Sequence, residues 1–346
     1  MIWLSWRQHR LELLVIGIGL AFLAALLIQS GLVINAALHQ LVKGDLSVAS
    51  CVAHQNTSSF CQLIQAKFYD TYEDPNDLPI VLLVPVLIGM FLGAPLVARE
   101  LERGTFRLIW TQSVTRLRWL LVKVGWQLAV ILLLFALINQ LVTWYLAQQW
   151  TGGDFGWNNF DMIGIVPLAY MVFALALGVA AGAITRHTIP AMIVTLIGYL
   201  GVRNLITSLR PNYLPPLSVT WDPYLYTAPK TLPGLVTQVP GGPGWDLFSL
   251  AGSQNWTLFS SYVDRAGHIP TASGFDTCIT KYPPPGTTVI EDTFMRCAHA
   301  HGLVYRITWQ PVDRLWLFQG IESAIFLGLA AGLLVLTYWW IRERIS

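Results

Sequence analysis

Charge is what this sequence has least of. Only 12% of its 346 residues are Asp, Glu, Lys or Arg, against 54% hydrophobic, and the mean hydropathy is +0.54. Soluble globular domains carry about twice that share of charge, so a water-soluble globule is excluded. The sequence has no P-loop, dinucleotide fingerprint, nucleophile elbow, HExxH or HxxEH pattern, which excludes ATP hydrolysis by this chain alone and the commonest hydrolase signatures. It has no low-complexity basic arm for nucleic acid, and its net charge is only +2. Cysteine is scarce, four residues with no CxxC spacing, so the usual structural zinc motif is missing. We expect no catalytic residue, no metal site and no cofactor bound by this chain.

What the sequence has is apolar length. Six runs of roughly 20 residues, long enough to cross a bilayer, fall at 13–34, 79–98, 119–146, 162–183, 189–209 and 315–341. An even number puts both termini on one side. The segments on that side (1–12, 99–123, 184–188 and 342–346) hold 11 basic and 4 acidic residues, whereas the much longer opposite loops hold 8 basic and 14 acidic. The excess of Lys and Arg identifies the first side as cytoplasmic. Residues 1–12, MIWLSWRQHRLE, set Trp3 and Trp6 among Arg7, His9 and Arg10, the composition of an amphipathic helix at the inner interface. The expected fold is an all-α polytopic membrane protein with six spans, this N-terminal interface helix, and an extracytoplasmic domain between spans 5 and 6.

That domain, 210–313, separates a first part, 1–209, from the last span and C-terminus, 314–346. It holds 13 of the 19 prolines, and TTVIE and GLVYRITW read as strands. Cys51 and Cys61 lie in the first outer loop, and Cys278 and Cys297 in the last. An oxidising face suits disulfides, and we favour the two pairings that each stay within one loop. The acidic cluster Asp70, Glu73, Asp74 and Asp77 lacks calcium-loop spacing and reads as a solvated face, as do His299 and His301.

Within the spans, polar residues are few. Asn139 stands in the third, Arg203 in the fifth and Glu322 in the sixth. Ionisable groups at such depth face a bundle interior, pair, or snorkel to the interface. The similar depths of Arg203 and Glu322 suggest an ion pair, either in a translocation path or at the membrane surface. Pro79, Pro85 and Pro95 with Gly89 and Gly93 predict a bent second span. Gly178 and Gly182 have the spacing for close helix contact, inside the subunit or across a dimer.

The densest charge lies at 99–123, RELERGTFRLIWTQSVTRLRWLLVK, which holds six of the 21 Lys and Arg. Glu100, Arg103 and Arg107 have helical spacing, so a short polar helix can lie beneath the bilayer. This segment resembles the inner loop of ABC-2 type transporter permeases, the membrane subunits of a class of ABC exporters. The matching positions are Glu100, Gly104 with Thr105, Val114-Thr115-Arg116, and Lys123; Ser113 stands where many members have proline. MIWLSWRQHR and GAPLVARELERGT are similar to an actinobacterial subgroup.

The resemblance implies a permease subunit powered by a separate ABC ATPase that holds ATP and magnesium. It also implies a second permease copy, a bacterial cell membrane location with lipid around it, and export of an amphipathic drug, peptide or lipid-like substrate. On this reading Glu100, Glu102, Arg103 and Arg107 set the register of docking on the ATPase, with Phe106, Leu108 and Trp110 as anchors. Gly104, Thr105, Arg116 and Lys123 complete the coupling segment. The alternatives are a non-transporting receptor or sensor whose domain 210–313 binds a ligand, and a membrane enzyme using Arg203, Glu322 or the outer histidines.

Overall fold

The computed structural model describes residues 17–19, 21–36, 39, 79–104, 115–147, 157–222, 255–269 and 297–344. Among them six helices are long and apolar enough to cross a membrane, one for each apolar run. α1 is Gly17–Ala36. The second span is composite: α2 (Pro79–Ile88), a π-helical turn (Gly89–Gly93) and α3 (Ala94–Glu102). α4 is Arg116–Leu146, α5 Val166–Thr185, α6 Thr188–Leu209 and α7 Leu315–Arg344. The protein is a multi-pass membrane protein. It divides into two units, one of Met1–Phe155, Asn159–Arg210 and Trp316–Ser346, the other of Gly156–Asn158 and Pro211–Leu315.

In the first unit the second span departs from a regular helix where its prolines predict. Pro85 lies inside α2 and Pro95 in the first turn of α3. Proline has no N–H to return to the preceding turn, and the π turn widens the backbone just ahead of Pro95. The widened turn is pressed against α5. A Cβ on Gly178 would lie 2.3 Å from the Gly89 carbonyl oxygen, and one on Gly182 would lie 2.6 Å from that of Ala94. The close contact that the Gly178 and Gly182 spacing permits is therefore made within the subunit. α5 becomes the enclosed post of the unit, 72% buried over its apolar window against 28%, 17% and 22% for α4, α6 and α7.

Helix ends are capped from nearby and from afar. Thr115 opens α4, its Oγ1 accepting from the Arg118 N–H at 3.3 Å. The start of α5 is covered by Gln319 of α7, whose Oε1 accepts from the Ile165 N–H (3.0 Å) and whose amide donates to the Ile163 carbonyl (3.0 Å). α5 ends on Arg186, which takes the left-handed conformation (φ 58°) and turns the chain directly into α6.

The second unit contains a three-stranded antiparallel sheet in the order β1 (Leu217–Trp221), β3 (Val304–Gln310), β2 (Trp256–Val263). Alternate residues of β3, namely Tyr305, Ile307 and Trp309, face one side and pack with Val219 and Tyr262. Trp157 stacks on Trp256 at 5.1 Å. The six helices lie in the first unit, and GLVYRITW, read as a strand in the sequence, supplies the central strand of the second unit, so the all-α description holds for the membrane part alone. The interface helix at 1–12, TTVIE, and Cys51, Cys61 and Cys278 lie outside the described residues. Cys297 begins a helical turn before β3, and among the described residues no cysteine is free.

Candidate functional site

Two polar clusters occupy opposite ends of the helical unit. At the first, α3 terminates where Gly104 takes a positive φ (70°) and donates its N–H to the Leu101 carbonyl (3.3 Å). The segment that follows, 105–114, lies outside the described residues, and with it Thr105, Phe106, Arg107, Leu108 and Trp110. Its two roots are visible. They are tied to four different helices.

Glu100, expected on the docking face, and Lys123, expected in the coupling segment, both turn inward. They form a salt bridge with each other and are 7% and 6% exposed. Trp119 Nε1 donates to Glu100 Oε2 (3.2 Å), Lys123 Nζ donates to the Leu96 carbonyl (3.4 Å), and the Lys123 ammonium lies 4.9 Å from the Trp119 ring centre. Trp119 and Lys123 are four apart on α4 and share a face. The α3 and α4 helices are thereby joined by a buried ion pair, which leaves these two charges unavailable to a soluble partner.

Glu102, two residues on, is exposed and serves another helix. Its Oε2 accepts from the Thr188 N–H (3.3 Å) and hydroxyl (2.9 Å), the uncapped start of α6. A carboxylate there also meets the positive end of the helix dipole. Arg116, at the other root, donates to the Ile341 and Arg342 carbonyls at 2.8 and 2.9 Å, and Arg186 donates to the Arg344 carbonyl at 2.9 Å. Two guanidiniums thus hold the last carbonyls of α7, where cations are favoured. Arg103 is exposed at the C-cap of α3.

The second cluster contains Arg203 and Glu322 but pairs them differently from the sequence expectation. Glu322 is fully buried and gripped by Arg210, with Nε to Oε2 at 2.8 Å and Nη2 to Oε1 at 2.9 Å. Arg203 bridges to Asp161 at 3.3 Å and donates to the Tyr199 hydroxyl at 3.3 Å. Asp161 also accepts from Arg210 at 2.7 Å, and the Tyr170 hydroxyl donates to Glu322 at 2.5 Å. The corrected arrangement is a network of two cations and two carboxylates, because the guanidinium of Arg210 reaches both acids and leaves Arg203 to Asp161.

Tyr199, Arg203 and Arg210 are spaced to lie on one helical face, and that spacing was the available signal for Arg210. Asp161 and Tyr170 gave none: one reads as a loop acid, the other as an aromatic in an apolar span. Burial pushes the Asp161 carboxyl up, but Arg210 and Arg203 outweigh it and hold the group below the usual carboxylate range. Asn139 stands nearby, lining a cleft with Asp161 and Arg203; its Oδ1 is buried without a hydrogen-bond partner. Among the described residues no group of three or more His, Cys, Asp or Glu could hold a metal ion.

Residues 17–210, more than half of the chain, match the family described as ABC-2 membrane transporter related. The chain belongs to that family. The match ends at Arg210 and so covers residues 99–123, Asp161, Tyr170 and Arg203, while leaving Pro211–Leu315 and α7 outside it. No curated protein and no solved structure matches the chain. Membership of the ABC-2 family supports a permease role in a membrane transporter and implies an ABC ATPase as partner.

Proposed function

We propose that this chain is the permease subunit of an ATP-driven exporter in the bacterial cell membrane. A separate ATPase subunit binds ATP and magnesium, and a second permease, most simply another copy, completes the pore. The end of the unit bearing Glu102, Arg116 and Arg186 faces the cytoplasm, as do both termini. Substrates are amphipathic drugs, peptides or lipid-like molecules. Disulfides Cys51–Cys61 and Cys278–Cys297 staple the outer segments.

The observation that carries this reading is how the helices on either side of segment 105–114 are tied. One root holds α6 through Glu102, the other holds α7 through Arg116, and the Glu100–Lys123 pair binds α3 to α4. A force applied to that segment by a nucleotide-driven partner is shared among four spans at once, as coupling between a soluble motor and a membrane path requires. Docking on the described side of the segment falls to Arg103, which is exposed, rather than to the buried Glu100.

Gentle purification of the tagged chain, with identification of its companions by mass spectrometry, tests the proposal. A stoichiometric P-loop ATPase is expected. A chain that arrives alone, yet binds ligand through 210–313, would establish the receptor reading in its place. In the assembled complex, Arg116→Ala should lower substrate-stimulated ATPase several-fold while basal ATPase persists.

A further inference from the structure

The cleft beside the second cluster is narrow and partly open, with room for about one water-sized molecule. Leu82, Phe135 and Met171 give it an apolar wall, and Asn139, Asp161 and Arg203 a polar one. Asn139 stands seven residues before the end of α4, or about 10 Å along the helix axis, at a depth where water is scarce. Its buried Oδ1 has no donor. An acceptor left unmatched in such a place is costly, and a ligand hydrogen bond restores what burial removed. Across the cleft Arg203 spends N–H groups on Asp161 and Tyr199, and a guanidinium has five.

The charge balance narrows the ligand. Arg203 and Arg210 are matched by Asp161 and Glu322, so a full charge brought into the cleft would find no counter-ion and would be expelled. A neutral group that donates and accepts at once satisfies both walls. We propose that the cleft holds the hydroxyl head of an amphipathic molecule, donating to Asn139 Oδ1 and accepting from Arg203, with its hydrocarbon body leaving through the open side past Leu82, Phe135 and Met171. The proposal names the head group of the substrate and rests on the export reading for its physiological meaning, although binding itself needs no ATPase.

Three photoactivatable alkyl diazirines of equal chain length, ending in a hydroxyl, an ammonium and a carboxylate, test it on the full chain in lipid nanodiscs. Labelled peptides are mapped by mass spectrometry. The hydroxyl probe should label the peptides containing Phe135 and Met171 at least fivefold more than either charged probe, and dodecanol should compete. Asn139→Leu, which replaces the unpartnered carbonyl oxygen by hydrocarbon of similar volume, should keep the fold and cut that labelling about tenfold, while Asn139→Gln retains part of it. Equal labelling by the three heads overturns the proposal, and that comparison uses the wild-type chain alone. Unchanged labelling of Asn139→Leu overturns it too, as does labelling at background for all three probes, which leaves the cleft to water. Saturable hydroxyl labelling with no ATPase companion supports the cleft and defeats only the export reading.

Discussion

Glu100 and Lys123 are charges placed where charge is disfavoured, and each is tolerable because of the other. Removing one leaves its partner buried and uncompensated, which costs about 3–5 kcal/mol in other proteins, whereas replacing both by apolar residues is often close to neutral. Glu100→Gln should therefore lower thermal stability strongly, and Glu100→Leu combined with Lys123→Leu should recover most of the loss. Equal loss in the single and double variants would show that the pair is not the relevant unit. Asp161 carries a pH signature. Its folded pKa is depressed by Arg210 and Arg203, so its stabilising contribution is complete above the ordinary carboxylate range and disappears as pH falls through the lowered folded value. The midpoint of thermal unfolding should hold from neutrality to about pH 4 and then decline, taking the ordinary carboxylate value as the upper limit. Asp161→Asn should flatten that acid limb and lower stability at neutral pH.

Among the elements, α5 and the composite second span meet through glycines. A side chain at 178 has the Gly89 carbonyl in its way at 2.3 Å, so Gly178→Val must push the helices apart, at a cost of about 1–3 kcal/mol. Gly201 has open space where a Cβ would stand, and Gly201→Ala should change the unfolding midpoint little. Glu102→Ala removes the distant cap of α6 and should lower the unfolding midpoint by a small amount, less at high salt. The spans themselves were legible in the sequence, since an uninterrupted apolar run of this length has few other uses, and the prolines and glycines of the second span announced an irregularity, found as the π-helical turn. The pairings were not legible. Arg210 meets Glu322 across 112 positions and Arg116 meets Ile341 across 225; which of several buried charges faces which depends on helix rotation, and a weakly amphipathic apolar run leaves that undetermined. The inward turn of Glu100 was hidden for the same reason, since a polar residue at the end of a span reads as exposed until its neighbour is known.

At the scale of the whole molecule, the asymmetry of basic residues predicts which side each unit faces. A cysteine introduced at His268, an exposed position of the second unit, should react with a membrane-impermeant maleimide in intact cells above the background of the parent chain. One introduced at Ser346 should react only after the membrane is opened. The reverse pattern would invert the protein and remove the coupling segment from reach of a cytoplasmic ATPase.

The gripping of Glu322 by Arg210 also sets a timetable for biosynthesis. Arg210 leaves the ribosome 112 residues ahead of its partner, roughly 6–20 s earlier at ordinary elongation rates. Asp161 and Tyr170 have already been made by then, and both touch Arg210 in the finished protein. They are the groups able to shelter its charge while the second unit is still being synthesised. A nascent chain lacking Asp161 would have to hold Arg203 and Arg210 near the bilayer with no carboxylate from the cluster until α7 arrives. Loss of Asp161 should therefore reduce the yield of inserted protein more than it reduces the stability of molecules that complete assembly.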